Sequence, residues 1–209
     1  MPPELFGEDY LYFYEGVLTD ELSDTQAERT WRLLGLADGV FLERARADAA
    51  ERGLDVEYLQ GDMRTLPWEA RFDLVLNWFT SFGYFDDTEN RAWLREAGKV
   101  LREAGRLVLD VHNRDAFARN LLPATTSERG DDLVVDRHRF DLMTGRAETD
   151  RLLVRDGNVR SVRFSVRFFT FTELRDWLLE AGFSTVEVSG HEGEPLDLQV
   201  RRMLVVATR

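Results

Sequence analysis

The sequence predicts an α/β fold built on a mostly parallel sheet, with an antiparallel insertion late in the chain. Three observations carry this. The runs Leu74–Leu76 and Leu107–Val111 are nearly continuously apolar, as expected of parallel strands covered on both faces. Segments with capping boxes and a helical apolar stripe, such as the one opened by Thr170 and Glu173, flank them. From Asp132 to Phe169 the period shifts to two, with Val162, Phe164, Val166 and Phe168 alternating against Ser161, Arg163, Ser165 and Arg167.

In order along the chain, residues 8–17 are rich in aromatic side chains, with Tyr10, Tyr12, Phe13 and Tyr14 close together. A helix packed on the body of the protein is the plain reading of that cluster. Ser23 and Gln26 form a capping box, and Ala27, Thr30, Trp31 and Leu34 follow at helical spacing, so a helix is expected from Asp24 to about Leu36. Phe41–Arg52 is also helical, with Leu42, Ala45 and Ala49 on one stripe and Gly53 past its end. Gly39 and Val40, just before it, offer no side-chain oxygen to cap its first amides. Val56–Gln60 alternates like a strand and stops at Gly61-Asp62-Met63-Arg64. The strand Phe72–Trp78 then ends in Phe79-Thr80-Ser81-Phe82-Gly83-Tyr84-Phe85.

Asp86 and Glu89 frame the next helix start, and Trp93, Leu94, Ala97, Val100 and Leu101 make its apolar face. Leu107–Val111 delivers His112, Asn113 and Arg114 to the carboxyl edge of the sheet, where open α/β folds bind their ligands. Asp62 and Asn77 are expected at that same edge. Three antiparallel strands are read between Asp132 and Phe169, the last two joined by the hairpin signal Arg155-Asp156-Gly157-Asn158. Acidic residues are interspersed with the arginines of these strands, which indicates a solvated, ion-paired face. A helix opening at Thr170, with Leu174, Trp177, Leu178 and Ala181 inward and Gly182 past its end, precedes two closing strands at Phe183–Ser189 and Met203–Ala207.

Gly61-Asp62-Met63-Arg64 and the loop Phe79–Phe85 make the chain resemble a bacterial branch of the class I S-adenosylmethionine-dependent methyltransferases. The resemblance runs from about Tyr10 to the C-terminus. It implies a Rossmann-like methyltransferase sheet, mostly parallel with an antiparallel last strand, acting as one domain over 1–209. It also implies S-adenosylmethionine as cofactor, with Gly61, Asp62 and Met63 at the adenine, and Asn77 and Phe79 near the transferred methyl. His112 and Tyr84 become the candidate bases, and Tyr10, Tyr14 and Arg114 the candidate contacts to a small-molecule acceptor. Members of the family carry a first strand, a Gly-rich loop, a helix and a second strand ending in an acidic residue before the helix that corresponds to Phe41–Arg52. Here Gly39-Val40 runs directly into that helix, so the sheet is expected to be truncated by about one βαβ unit, roughly 30 residues.

A formal charge of −12 opposes a general nucleic-acid or anionic-membrane partner. The chain has no cysteine, and no His/Glu cluster has metal spacing, so neither a disulfide framework nor a metal site is expected. No apolar run is long enough to span a bilayer and the N-terminus lacks signal-peptide character, which gives the cytoplasm as the default compartment. Two functions stay open at this stage. One is an enzyme with a compromised donor site, and the other is a non-catalytic relative that serves as a binding module; a deletion from an active enzyme would give the same sequence. In the family's strand order the absent strands would separate Val56–Gln60 from Phe72–Trp78. An apolar strand with an open edge is therefore expected, and with it a homodimer or a rearrangement that pairs those two strands.

Overall fold

The structure is a computed structural model that describes Asp9, Tyr12 and residues 39–209. The expected helix Asp24–Leu36 and the candidates Tyr10 and Tyr14 lie outside the described residues. The described chain divides into two compact units. One holds residues 39–62 with Asp9 and Tyr12, Pro123–Arg137 and Thr149–Phe164, and the other holds Met63–Leu122, His138–Glu148 and Ser165–Arg209.

The second unit contains a four-stranded sheet made from β1 (Phe72–Asn77), β2 (Leu101–His112), β7 (Thr185–Ser189) and β8 (Arg202–Thr208), in the order β1-β2-β8-β7. β1 and β2 are parallel, and β8 is antiparallel to both β2 and β7. Three strands thus point one way and the last strand the other, as the sequence led us to expect. β2 begins at Leu101, earlier than the apolar run Leu107–Val111 alone marks, and it bulges before Gly105 with Ala104 in the left-handed region at φ +59°. Gly105 is required there, because a Cβ would stand 2.8 Å from the Arg102 carbonyl.

Register separates the two faces of this sheet. Val75, Leu107, Leu109, Val111, Met203, Val205 and Ala207 share one face and are all buried. The helices α2 (Asp87–Val100) and α4 (Phe171–Glu180) pack on β2 and β7 and on each other, presenting Trp93, Leu94, Ala97, Leu174, Trp177 and Leu178 as their buried sides. Both start as read from sequence. The Asp86 carboxylate accepts from the Glu89 N–H at 2.8 Å, and the Thr170 hydroxyl from the Glu173 N–H at 3.2 Å, each satisfying a first-turn amide that would otherwise lack a partner. The opposite face carries Leu74, Leu76, Val108, Asp110, His112, Arg202, Leu204 and Val206, and it is less closed, with Leu74 39% exposed.

The expected strand at Val56–Gln60 is corrected. The segment has no regular structure, although Val56 and Tyr58 are half-buried and their neighbours exposed. Alternation reports which side chains face inward, whereas a strand also needs a neighbour to take its backbone hydrogen bonds, and no described strand lies beside it. It does not pair with β1, whose only described neighbour is β2. Upstream, α1 (Gly39–Glu51) closes as read. Gly53 takes φ +65° and Leu54 N–H donates to the Ala49 carbonyl at 2.8 Å.

A second sheet runs β3 (Ala124–Arg129), β4 (Asp132–Asp141), β5 (Arg146–Arg155) and β6 (Asn158–Arg167) in sequence order. It has four strands where three were expected. β3 is exposed along its whole length and so carries no apolar alternation to betray it. Asp156 and Gly157 turn β5 into β6 with φ +50° and +73°, the left-handed pair that suits a two-residue hairpin. Ion pairs lace the arginines as predicted, including Arg151 with Asp136 in a two-bond fork at 2.8 and 2.7 Å, and Arg155 with Asp9 at 2.8 Å. Arg167 departs from its expected solvent-facing position and is only 7% exposed. At the end of β6 it is enclosed by Gly83, Gly145 and Phe169, bonds the Phe168 carbonyl at 2.5 Å and pairs with Glu173. No described helix is long and apolar enough to cross a membrane.

Candidate functional site

The carboxyl ends of β1 and β2 lie side by side because the strands are parallel and in register from Leu74 to Asn77. The chain leaving β1 makes a tight turn in which Phe79 and Thr80 both adopt the left-handed region, at φ +52° and +54°. Each such L-residue costs about 1–2 kcal/mol, so the turn needs external support. Asp110 supplies it. Its Oδ2 accepts from the Phe79 N–H at 3.0 Å and its carbonyl from the Thr80 N–H at 3.0 Å, while the Ser81 hydroxyl donates to the Trp78 carbonyl at 2.7 Å.

Asp110 is completely buried and held by Arg202, whose Nε donates to Oδ1 at 2.8 Å and whose Nη2 contacts Oδ2. Burial raises its pKa, and the Arg202 charge, the Phe79 amide and the nearby His191 pull it back without winning. The Arg202 guanidinium also lies 5.5 Å from the centre of the Phe79 ring, and that ring is 42% exposed. Two buried polar atoms beside this pair have no hydrogen-bond partner among the described residues. They are Nε1 of Trp78 and Nε2 of His191, whose rings meet edge to face at 5.3 Å.

His112 ends β2 opposite Arg202 and stacks on Phe168 at 4.5 Å, with Phe117 at 6.2 Å. Burial first, then the Arg202 and Arg201 charges, lower its pKa to about 4. Its imidazole is therefore neutral at pH 7. Arg114 opens α3 (Arg114–Arg119), donates to the Leu142 carbonyl at 3.4 Å and reaches over Phe140 at 5.9 Å. Tyr84 is half-buried in the loop after β1, where Arg146 donates to the Phe85 carbonyl at 3.1 Å. Gly83 in that loop takes φ +110°, and a Cβ on it would stand 2.4 Å from the Arg167 carbonyl.

Asn77 is buried at the end of β1 and shares the closed face with Val75 and Leu109, and its Oδ1 has no partner. Asp62 and Gly61 are exposed in the first unit and Met63 is half-buried in the second. The structure thus groups Phe79 and His112 on one edge with three residues the sequence reading did not single out: Asp110, Arg202 and His191. Asp110 could have been found, since a carboxylate inside the apolar run Leu107–Val111 must be paired to be buried. Arg202 and His191 carried no such signal.

A protein-family model described as a methyltransferase domain matches residues 16–105, less than half of the chain. Among solved structures, an S-adenosylmethionine-dependent methyltransferase from Clostridium acetobutylicum aligns with a TM-score of 0.71 at 14% identity, covering 82% of this chain and 72% of that one. The fold is of the methyltransferase type. CalS10, an amino pentose methyltransferase from Micromonospora echinaspora solved with its S-adenosylmethionine, aligns at 25% identity and TM-score 0.60 over 98% of each chain. The CcbJ methyltransferase from Streptomyces caelestis aligns at 20% identity and TM-score 0.64, covering 79% of this chain and 69% of its own. No curated protein sequence matches. Open α/β sheets bind ligands beyond the carboxyl ends of their strands, which is the edge where β1 and β2 end here.

Proposed function

We propose that the chain is an S-adenosylmethionine-dependent methyltransferase-type protein that acts on a small-molecule acceptor and holds its donor weakly. The observation that carries the reading is the position of β1. It bears Asn77 and the Phe79–Thr80 turn, yet it is an edge strand with no described neighbour on its outer side. In related enzymes that side is filled by the strand and Gly-rich loop that hold the donor's methionine and ribose, and the sequence contains neither. Among the described residues, Asp62 fits the adenine end of the donor, where its exposed carboxylate can accept a hydrogen bond from an amino group.

When bound, the sulfonium donor supplies an electrophilic methyl group. The chain's own work is to orient the acceptor and relieve it of a proton. His112 is neutral and able to accept that proton, but with a conjugate acid near pH 4 it exerts little pull. It therefore suits an acceptor whose proton becomes acidic only as the new bond forms, such as an amine. The amino pentose named for CalS10 is an acceptor of this kind and supports a small-molecule reading here.

Losing several hydrogen bonds of about 1 kcal/mol each weakens donor binding by orders of magnitude. Calorimetric titration with S-adenosylmethionine is expected to give a dissociation constant well above the low-micromolar range. Asp62→Ala is expected to remove what binding of S-adenosylhomocysteine remains, with little change in melting temperature. A low-micromolar constant, or unaltered binding in the variant, would contradict the proposal. Complete absence of donor binding in the unaltered protein favours the second reading, a binding module without catalysis. The outer edge of β1, which has no neighbour among the described residues, also supports the proposal that two copies pair through it as a homodimer.

A further inference from the structure

The unpartnered nitrogens of Trp78 and His191 have no part in the donor site proposed above. Buried polar atoms are nearly always hydrogen-bonded, so two on rings that meet edge to face call for an explanation. Trp78 is 8% exposed and fixed by the turn that follows β1, and its own carbonyl accepts from Ser81. His191 stands at the start of the loop between β7 and β8, in which Gly190 N–H donates to the Glu194 carbonyl at 2.7 Å. The Asp110 carboxylate holds Arg202 and the Phe79 amide and bonds neither nitrogen.

We propose that Trp78 and His191 form a hydroxyl-binding subsite for the acceptor, taking one alcohol group between the indole N–H and the imidazole Nε2. The chemistry of the two atoms selects this group. The indole N–H can only donate, so its partner must accept, while the imidazole Nε2 accepts or donates according to whether it carries a proton. An alcohol oxygen serves both atoms in either case, since it carries one donor proton and two acceptor lone pairs. An ammonium cannot accept from Trp78, and an ionised carboxylate serves both atoms only when Nε2 carries a proton. With Nε2 unprotonated, an ether or an aromatic face satisfies at most one. The acceptor is thereby narrowed to hydroxylated small molecules. Both nitrogens are closed to solvent in the ligand-free chain, so the alcohol enters as the half-buried His191 side chain swings on its loop. This inference rests on the methyltransferase reading for the word acceptor, and on the two rings alone for the subsite.

The test is a nitrogen–proton NMR titration of the uniformly labelled protein, following the Trp78 indole N–H, assigned by its loss in Trp78→Phe. Methyl β-D-glucopyranoside, methyl β-D-xylopyranoside and myo-inositol are the hydroxylated probes, and N,N-dimethylaniline is the hydroxyl-free control. At least one of the three is expected to move the Trp78 resonance saturably in the millimolar range, while the control leaves it in place. His191→Phe keeps an aromatic ring against Trp78 but removes the acceptor, and it is expected to weaken that binding at least tenfold with the spectrum otherwise folded. No shift with any of the three up to tens of millimolar overturns the subsite, as does an equal shift with the control or undiminished binding in His191→Phe. S-adenosylhomocysteine is titrated into the same sample. If it moves the Trp78 resonance by itself, the pair belongs to the donor site and the subsite is overturned. If it binds nowhere while a polyol still moves Trp78, the methyltransferase reading fails and the subsite stands.

Discussion

His112 shows how far a residue's chemistry depends on what surrounds it. From sequence it is a histidine after a strand, with a pKa near neutrality. In the fold it is stacked on Phe168 and faced by Arg201 and Arg202, and burial first, then those charges, lower its pKa to about 4 from 6.5. The folded state therefore prefers the neutral ring, while the unfolded chain takes up a proton near pH 6.5. Stability contributed by this preference is present above pH 6.5 and is lost as pH falls toward 4, by about 3 kcal/mol at full extent. His112→Phe cannot be protonated and keeps a ring on Phe168. Urea unfolding measured from pH 7 to pH 4 is expected to show a shallower loss of stability in this variant than in the unaltered protein. Parallel curves would show that His112 does not carry the dependence.

At the scale of elements, Asn113 joins a strand end, a helix start and a distant loop. Its Oδ1 accepts from the Asp115 and Ala116 amides at 3.1 and 3.4 Å, capping α3. Its Nδ2 donates to the carbonyls of Asp197 and Val200, both at 2.9 Å, and so fixes the loop that leads into β8. Because β8 then presents Arg202 to Asp110, the side chain supports the site without touching it. Asn113→Asp keeps the cap but sets a carboxylate oxygen against two carbonyls. It is expected to cost about 2–3 kcal/mol, since buried donors are lost and like dipoles face each other. Asn113→Ala also loses the cap, itself worth about 1 kcal/mol. A midpoint of urea unfolding for Asn113→Asp equal to that of the unaltered protein would show that the loop holds without this tie.

For the molecule as a whole, the consequence of the sheet order is an outer edge of β1 with no neighbour among the described residues. Leu74 on that strand is 39% exposed and Asp73 is exposed beside it. A short strand with one flanking charge is only partly protected against pairing. Isologous pairing of β1 with its copy would continue the sheet through a two-fold axis. Light scattering is expected to return about twice the 24.2 kDa chain mass, and Leu74→Lys to shift the population toward the single chain. A mass of one chain across a wide concentration range would leave the edge unpaired and sink the dimer.

Much of the architecture was written locally. Capping at Asp86 and Thr170, the glycine stop after α1, the hairpin at Asp156-Gly157 and the apolar strands β1 and β2 are each set by a few neighbouring residues, so short-range physics sufficed to read them. The parallel pairing and the antiparallel β8 followed from the resemblance carried by the loops. Features that depended on partners far along the chain were not legible. Val56–Gln60 has a strand's alternation but no neighbour, β3 has a neighbour but no alternation, and Arg167 sits where period two placed a surface residue. The same holds for the site. His112 and Phe79 could be placed at the edge from their strands, whereas only the folded chain brings Arg202 across 92 residues to Asp110 and sets His191 against Trp78. Burial, and the electrostatics that burial controls, are properties of that assembly and not of any single stretch of sequence.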